Sequence, residues 1–150
     1  MIQENKELLL KDLCARVPYV TFVYVEWHET EKLEICEGCE DEEEPNIHTL
    51  ISCDYYGECA LDDNLYKTIY NIKPYLRPMS SMTKEEKKEM SDGSALAFEP
   101  ALNDVSGYCP ETMAYNTFNV DFCLAHHLDF RGLIEKGLAL EAPEGMYKEK

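Results

Sequence analysis

The sequence predicts an α+β fold, in which an antiparallel β-meander of about four to five strands is flanked by N-terminal, central and C-terminal helices. Three observations carry this prediction. Residues 3–16 place apolar side chains at helical spacing, residues 19–28 are rich in aromatic and β-branched types, and residues 119–143 contain two helix start signals and a glycine stop. Strands that follow one another through short loops favour a meander.

The N-terminal helix is predicted over Gln3–Arg16, because Leu9, Leu13 and their apolar neighbours fall on one side. Pro18 favours an extended conformation for the residue before it and therefore ends the helix. The first strand follows at residues 19–28. It has apolar groups on both faces, which is typical of a central strand or of one covered by a helix.

Three further strands are predicted before the middle of the chain, at Leu33–Cys36, Ile47–Tyr55 and Leu65–Ile72. The second of them alternates well, whereas a short helix is an alternative for the third. Lys73–Met82 contains two prolines, of which Pro74 lies near its start. We therefore predict an irregular connector there.

Thr83 and Glu86 match a capping box, so a helix is expected from Lys84. Residues 91–111 are rich in turn-forming pairs and are predicted to form an irregular insertion. Short strands are predicted in and after this stretch, at Ala95–Phe98 and Thr112–Phe118.

The C-terminal quarter predicts two helices and a strand. Asn119 is a suitable N-cap for a helix from Val120, and Asp129 for a second one. Gly137 fits the left-handed position that ends a helix. Leu138–Leu140 is too short for another helix and suits an edge strand.

Length and composition predict one domain over residues 1–150, because 150 residues that are 45% hydrophobic fill one core and are few for two. The sequence has no apolar run of the roughly 18 residues that a membrane span needs, and its first residues do not resemble a secretory signal. Seven cysteines, an odd number, favour a reducing compartment with mostly free thiols. These patterns together predict a cytoplasmic protein.

The formal net charge is −16, and it is unevenly distributed. The segment Glu26–Glu44, which we call the acidic segment, holds ten acidic residues and one lysine. Its most acidic part is predicted to be a loop near residues 37–46. Such a surface repels phosphate, so direct binding of nucleic acid or of an anionic membrane is disfavoured. Solubility alone is the simpler explanation of the charge.

Zinc is the first metal to consider, because Cys36–Cys39 is a CxxC motif. Cys53 and Cys59 lie downstream, but their spacing differs from that of the usual second pair. His28 or His48 would be alternative ligands. Ordinary thiols at strand ends explain the cysteines more simply, so no cofactor is predicted and Cys36 and Cys39 are kept only as weak metal candidates.

Catalytic motifs are lacking in the sequence, which contains no GxSxG, Walker A, GxGxxG or HExxH pattern. His126 and His127 are adjacent and cannot both point at one ion from a helix, so a role at a helix C-terminus is favoured. A nucleophilic Cys–His pair stays open as an alternative, because such partners meet in space rather than in sequence. We predict a protein that is not an enzyme.

Three segments carry a resemblance: KDLCARVPY at Lys11–Tyr19, IKPYLRPMSSMT at Ile72–Thr83, and HHLDFRGLIEKGLALEAPEGMY at His126–Tyr147. Together they resemble a set of short proteins from bacteriophages and prophages of gut bacteria. No activity attaches to that set. The resemblance implies a mobile element inside a bacterial cell, and it carries no catalytic residue onto this chain.

The sequence therefore predicts a protein that binds a host or phage protein through an acidic, aromatic surface. One specific version is mimicry of DNA in the cleft of a host defence enzyme. A small-molecule or signalling-nucleotide binder, and a protein stabilised by zinc, are the alternatives. The predicted contact residues are Trp27, Glu40, Asp41, Glu42, Glu43, Glu44, Tyr55 and Tyr56.

Overall fold

A computed structural model describes residues 1–27, 46–98 and 110–148 of the chain and confirms the α+β class. In this described part there are three helices and six strands. The helices are α1 (Gln3–Arg16), α2 (Lys84–Phe98) and α3 (Pro110–Ala125). The strands are β1 (Phe22–Val25), β2 (Ile47–Cys53), β3 (Glu58–Leu61), β4 (Tyr66–Thr68), β5 (Ile72–Leu76) and β6 (Leu140–Glu141).

The chain divides into two compact units. The first consists of Met1–Tyr75 and Leu133–Leu140, and the second of Leu76–Gly132 and Glu141–Lys150. None of the helices in the described residues is long and apolar enough to cross a membrane. The prediction of one folding domain stays a prediction.

Helix α1 confirms the predicted N-terminal helix. It lies against β2 and buries Leu9 and Leu13 without exposed surface. Its inner side also carries an ion pair: Arg16 donates from Nε to Asp12 Oδ2 at 2.6 Å, and both side chains are completely buried. A charged pair at i and i+4 is usually exposed, so this one distinguishes α1 from an ordinary amphipathic helix.

The sheet has the strand order β4-β3-β2-β1-β5-β6. Strands β1 to β4 follow one another and pair antiparallel, so the predicted meander describes this part. It does not describe β5, which pairs antiparallel with the other side of β1. The predicted second strand, Leu33–Cys36, lies outside the described residues.

The prediction of an irregular connector at Lys73–Met82 is wrong for its first residues, which belong to strand β5. Its residues Ile72, Pro74 and Leu76 are buried in alternation, and Pro74 lies opposite Val23. The burial of this apolar stripe outweighs the ladder hydrogen bond that a proline cannot donate. The predicted strand Leu65–Ile72 is interrupted: Tyr66–Thr68 forms β4, Ile69–Asn71 forms a 3-10 turn, and Ile72 already begins β5.

Helix α2 begins with the predicted capping box. The Thr83 hydroxyl accepts a bond from Glu86 N–H at 3.1 Å, and the Glu86 carboxylate accepts one from Thr83 N–H at 2.8 Å. The helix continues to Phe98, so the strand predicted at Ala95–Phe98 is wrong. The strand predicted at Thr112–Phe118 is wrong as well, because those residues belong to α3.

Helix α3 starts before the predicted cap at Asn119 and ends at a left-handed residue. His127 has φ +56°, and Leu128 N–H donates to Cys123 O while His127 N–H donates to Leu124 O. These two bonds form a Schellman motif, which is more often built on glycine. The two histidines therefore do follow the end of a helix.

The second predicted C-terminal helix is absent, since residues 129–137 form turns. One of these turns ends as predicted: Gly137 has φ +70°, and Leu138 N–H donates to Leu133 O at 2.9 Å. Leu133 is completely buried. The short strand after it is β6, which lies two residues later than expected.

The second unit contains a charged network around Glu86. Arg77 donates to both carboxylate oxygens of Glu86, at 2.7 and 2.9 Å, and His126 Nδ1 lies 3.2 Å from Glu86 Oε1. The Arg77 guanidinium, together with the Thr83 N–H and His126, lowers the pKa of Glu86 from 4.5 to about 2, against the opposing effect of burial. The ring of His126 stacks on Phe122 with centroids 4.1 Å apart.

This lowered pKa predicts how stability changes in acid. Unfolding returns Glu86 to an ordinary pKa, so its contribution is fully present above about pH 4.5 and is lost as the pH falls towards 2. The contribution is at most about 3 kcal/mol. Urea denaturation between pH 2 and 7 should therefore show a steeper acid loss in the parent than in Glu86→Gln. Glu89→Gln, an exposed position of the same helix, should keep the parental slope; equal slopes for all three proteins would contradict the assignment.

Candidate functional site

The sheet of the first unit buries one face and exposes much of the other. Val23, Val25 and Leu61 lie on the buried face and have at most 1% of their surface exposed. The intervening residues form a second face, here called the open face, whose side chains are half-buried or exposed. The open face consists of Phe22, Tyr24, Ile47, Thr49, Glu58, Ala60, Tyr66, Thr68, Lys73 and Tyr75.

Two adjacent tyrosines project from the turn between β2 and β3. Tyr55 and Tyr56 are 87% and 83% exposed, and their rings meet edge to face at 5.7 Å. Asp54 fixes this turn: its side chain accepts a bond from Glu58 N–H at 2.8 Å, and its carbonyl accepts one from Gly57 N–H at 3.1 Å. We call residues 54–57 the tyrosine turn.

Further large apolar side chains are exposed on the same strands. Tyr66 of β4 is 64% exposed, and Ile47 and Ile51 of β2 are 45% and 54% exposed. Ile51 lies where the register between β2 and β3 shifts. Exposed aromatic and branched side chains gathered on neighbouring strands are typical of surfaces that contact other proteins.

Trp27 is half-buried among polar side chains, unlike the two exposed tyrosines with which the sequence placed it in one surface. The Lys67 ammonium stands 4.2 Å from the centroid of the Trp27 ring, and the His48 ring meets it at 6.4 Å. Lys67 and His48 are both buried. The Trp27 Nε1–H is buried and has no hydrogen-bond partner among the described residues. We call these side chains, with Asp62, the polar corner.

Asp62 orients His48 within the polar corner. His48 Nδ1 lies 2.8 Å from Asp62 Oδ1, and Thr49 N–H donates to Asp62 Oδ2 at 3.0 Å. Burial alone would raise the pKa of Asp62, but the bonds from Thr49 and His48 outweigh it and the pKa falls. Because the carboxylate accepts, Nδ1 carries the proton and Nε2 presents its lone pair in the neutral ring.

Asp63 brings a second carboxylate to the same place. His48, Asp62 and Asp63 each offer one ligand atom, and these atoms lie within 4.8 Å of one another. One imidazole and two carboxylates are donor types that zinc and manganese accept. In this structure His48 and Asp62 bond to each other, so a cation would have to separate them.

The cysteines include a disulfide that the prediction of mostly free thiols did not name. Cys53 and Cys59 face each other across β2 and β3 and form a disulfide. Cys14 is an exposed free thiol, and Cys123 is a buried cysteine outside the disulfide. A sequence spacing of six residues does not reveal such a pair, because it depends on the strand register.

Several predicted site residues lie outside the described residues. They are the metal candidates Cys36 and Cys39 and the acidic contact residues Glu40, Asp41, Glu42, Glu43 and Glu44. The described residues that adjoin this part of the acidic segment are Trp27 and Asn46, at the ends of β1 and β2.

Comparison with protein-family models, with curated proteins and with solved structures found no match.

Sequence reasoning missed Asp62 and Lys67 as members of the site. Lys67 occupies a core-facing position of β4, where a charged residue breaks the expected alternation. This break in alternation could have identified Lys67 from the sequence. The sequence does not indicate that Asp62 pairs with His48, because 14 residues separate them and a 3-10 turn brings the carboxylate back to β2.

Removal of the Asp62 carboxylate from the polar corner should destabilise the protein. Asp62→Ala leaves the buried His48 Nδ1–H without its acceptor and should lower the free energy of unfolding by about 1–3 kcal/mol. The lower end is expected, because Asp62 is 41% exposed and water can reach part of the gap. Glu58→Ala, which removes the same charge from an exposed position of β3, is the matched control for chemical denaturation. Equal stability of the two variants would show that the His48–Asp62 bond contributes nothing.

Proposed function

We propose that this protein is a non-enzymatic binding protein of a phage or mobile element, which acts in the cytoplasm of a bacterial host. Its partner is a protein with a basic surface, contacted through the tyrosine turn, the open face and the acidic segment. The observation that carries this proposal is the exposure of Tyr55 and Tyr56, at 87% and 83%, on a turn held by its own hydrogen bonds.

The tyrosine turn has the physical properties of a contact site. A tyrosine ring offers a large area with little rotamer entropy to lose, which is why tyrosine is frequent among residues that dominate binding energy. The bonds made by Asp54 hold the turn before a partner arrives. Pre-organisation of this kind reduces the entropic cost of association.

The open face extends the contact area beyond the turn. Tyr24 lies opposite Ile47 on one side and opposite Lys73 on the other, so the face continues across β2, β1 and β5. Its mixture of aromatic, branched and short polar side chains resembles the composition of interfaces that form and dissociate. A partner that covers it would gain apolar contact without a deep pocket.

Charge identifies the chemistry of the partner. The acidic segment carries a net charge of −9 within a chain of net charge −16, so it attracts basic surfaces and repels nucleic acid. Long-range attraction of this kind mainly accelerates encounter. In the specific version of the proposal, the partner is a host enzyme whose cleft normally holds DNA.

The first test removes the tyrosines. The immobilised protein would capture partners from a lysate of a gut bacterium, and captured proteins would be quantified by mass spectrometry. Tyr55→Ala/Tyr56→Ala should reduce a specifically captured basic protein by about tenfold or more, since loss of contact residues of this kind costs at least about 1–2 kcal/mol each. Lys88→Ala/Glu89→Ala, a charge-neutral pair at exposed positions of α2, should leave capture unchanged.

Two results would overturn the proposal. The first is a capture profile that does not differ between the tyrosine variant and its control. The second is the absence of any specifically captured protein together with a small molecule that copurifies with the chain, which would favour the small-molecule binder instead.

The second test measures the role of charge once the partner is in hand. Replacing Glu40, Glu42, Glu43 and Glu44 by glutamine should lower the association rate and flatten its dependence on salt, because the steering field is weaker. The melting temperature should hold or rise as self-repulsion falls. Unchanged association kinetics with poorer solubility would show that the charge serves solubility alone. If the protein mimics DNA, the parent should also displace DNA from the partner.

A further inference from the structure

Three cysteines meet at the base of the tyrosine turn. The Cys53–Cys59 disulfide joins β2 to β3 immediately outside the turn. Cys14 of α1 reaches the same place, where its Sγ–H donates to the carbonyl oxygen of Cys53 at 3.7 Å. A third thiol beside a disulfide is the arrangement from which thiol–disulfide exchange proceeds.

The three sulfur atoms differ in access, which assigns them different roles. Cys14 is exposed, Cys53 is half-buried and Cys59 has no exposed surface. Cys14 also contacts the Cys53 residue rather than Cys59. The contact with Cys53 and its greater exposure favour attack on the Cys53 sulfur, which leaves Cys59 as the displaced group.

We infer that Cys14, Cys53 and Cys59 form an internal thiol–disulfide exchange site. The Cys14 thiolate attacks Cys53 Sγ, the Cys53–Cys59 bond breaks, and a Cys14–Cys53 bond forms. Cys59 leaves as a thiolate and takes up a proton from water, which balances the proton that Cys14 gave up. The step transfers a disulfide without net oxidation or reduction, so it needs no further reactant.

The surroundings of Cys14 keep this exchange slow near neutral pH. Burial, followed by the negative charge of Asp54, raises the pKa of the Cys14 thiol above its ordinary value of 9.0. On the same helix, Lys11 lies one turn earlier, at i−3 from Cys14. Only the thiolate attacks, so the exchange rate should rise about tenfold per pH unit up to about pH 8.5.

The exchange changes what holds the tyrosine turn. With the Cys53–Cys59 bond the turn is closed on β3, whereas with a Cys14–Cys53 bond its first strand is tied to α1 instead. Tyr55 follows Cys53 by two residues, so the two states present the tyrosine pair differently. This regulatory consequence rests on the proposed function, but the chemistry of the three sulfurs does not. In reducing compartments a disulfide is usually transient and regulatory, which agrees with such a role.

The test maps disulfides in the full-length protein without any partner. The protein would be held at pH 6.5, 7.5 and 8.5 under argon, quenched in acid, digested with pepsin at low pH and mapped by mass spectrometry. A disulfide-linked Cys14–Cys53 peptide pair should appear in the parent, and its rate of formation should increase about tenfold for each unit by which the pH is raised. The Cys123→Ser variant is the matched control and should give the same pair at the same rate.

A second variant tests whether Cys14 can reach Cys53 when the competing Cys53–Cys59 disulfide cannot form. Cys59→Ala, treated with oxidised glutathione, should form the Cys14–Cys53 bond in place of a mixed glutathione disulfide, because the neighbouring thiol displaces glutathione intramolecularly. The inference is overturned if the parent keeps only the Cys53–Cys59 pair at every pH, or if Cys14 pairs with Cys36, Cys39 or Cys109 instead. A persistent glutathione adduct on Cys59→Ala would overturn it as well. Because partner binding is not measured, these results are independent of whether the proposed function holds.

Discussion

The buried ion pair between Asp12 and Arg16 is the interaction on which the first unit depends. Neither side chain has exposed surface, so loss of either would remove the ion-pair partner of a buried charge, which typically costs about 3–5 kcal/mol. The carbonyl of Arg16 also accepts bonds from Tyr19 N–H and from the Thr21 hydroxyl. Arg16 thus contributes its side chain to the inner side of α1 and its carbonyl to the path by which the chain enters β1.

This constraint explains why the sheet has two unlike faces. Because α1 is held against β2, the apolar side chains of β1 to β3 on that side are buried, and the alternate side chains face away. Tyr55 and Tyr56 of the tyrosine turn are exposed on this arrangement, which is why we propose them as partner contacts.

Structural features that depend on a few adjacent residues were predictable from the sequence, and contacts between residues distant in sequence were not. The bounds of α1, the capping box of Thr83 and Glu86, and the left-handed Gly137 each follow from a few adjacent residues. Pro74 misled the prediction, because its local preference was overridden by the pairing of β5 with β1. The His48–Asp62 bond and the Cys53–Cys59 disulfide depend on strand register, which composition and periodicity do not determine.

The shortness of β4 affects whether the protein aggregates at high concentration, given the apolar side chains that its sheet exposes. Among the described residues, this strand ends the sheet on one side, and it is only three residues long. A sheet edge recruits other chains through its unpaired N–H and C=O groups, and a short edge offers few of them. Two copies that met through their open faces would find little backbone with which to continue into a fibre. The shortness of one peripheral strand thus disfavours polymerisation through that edge of the sheet.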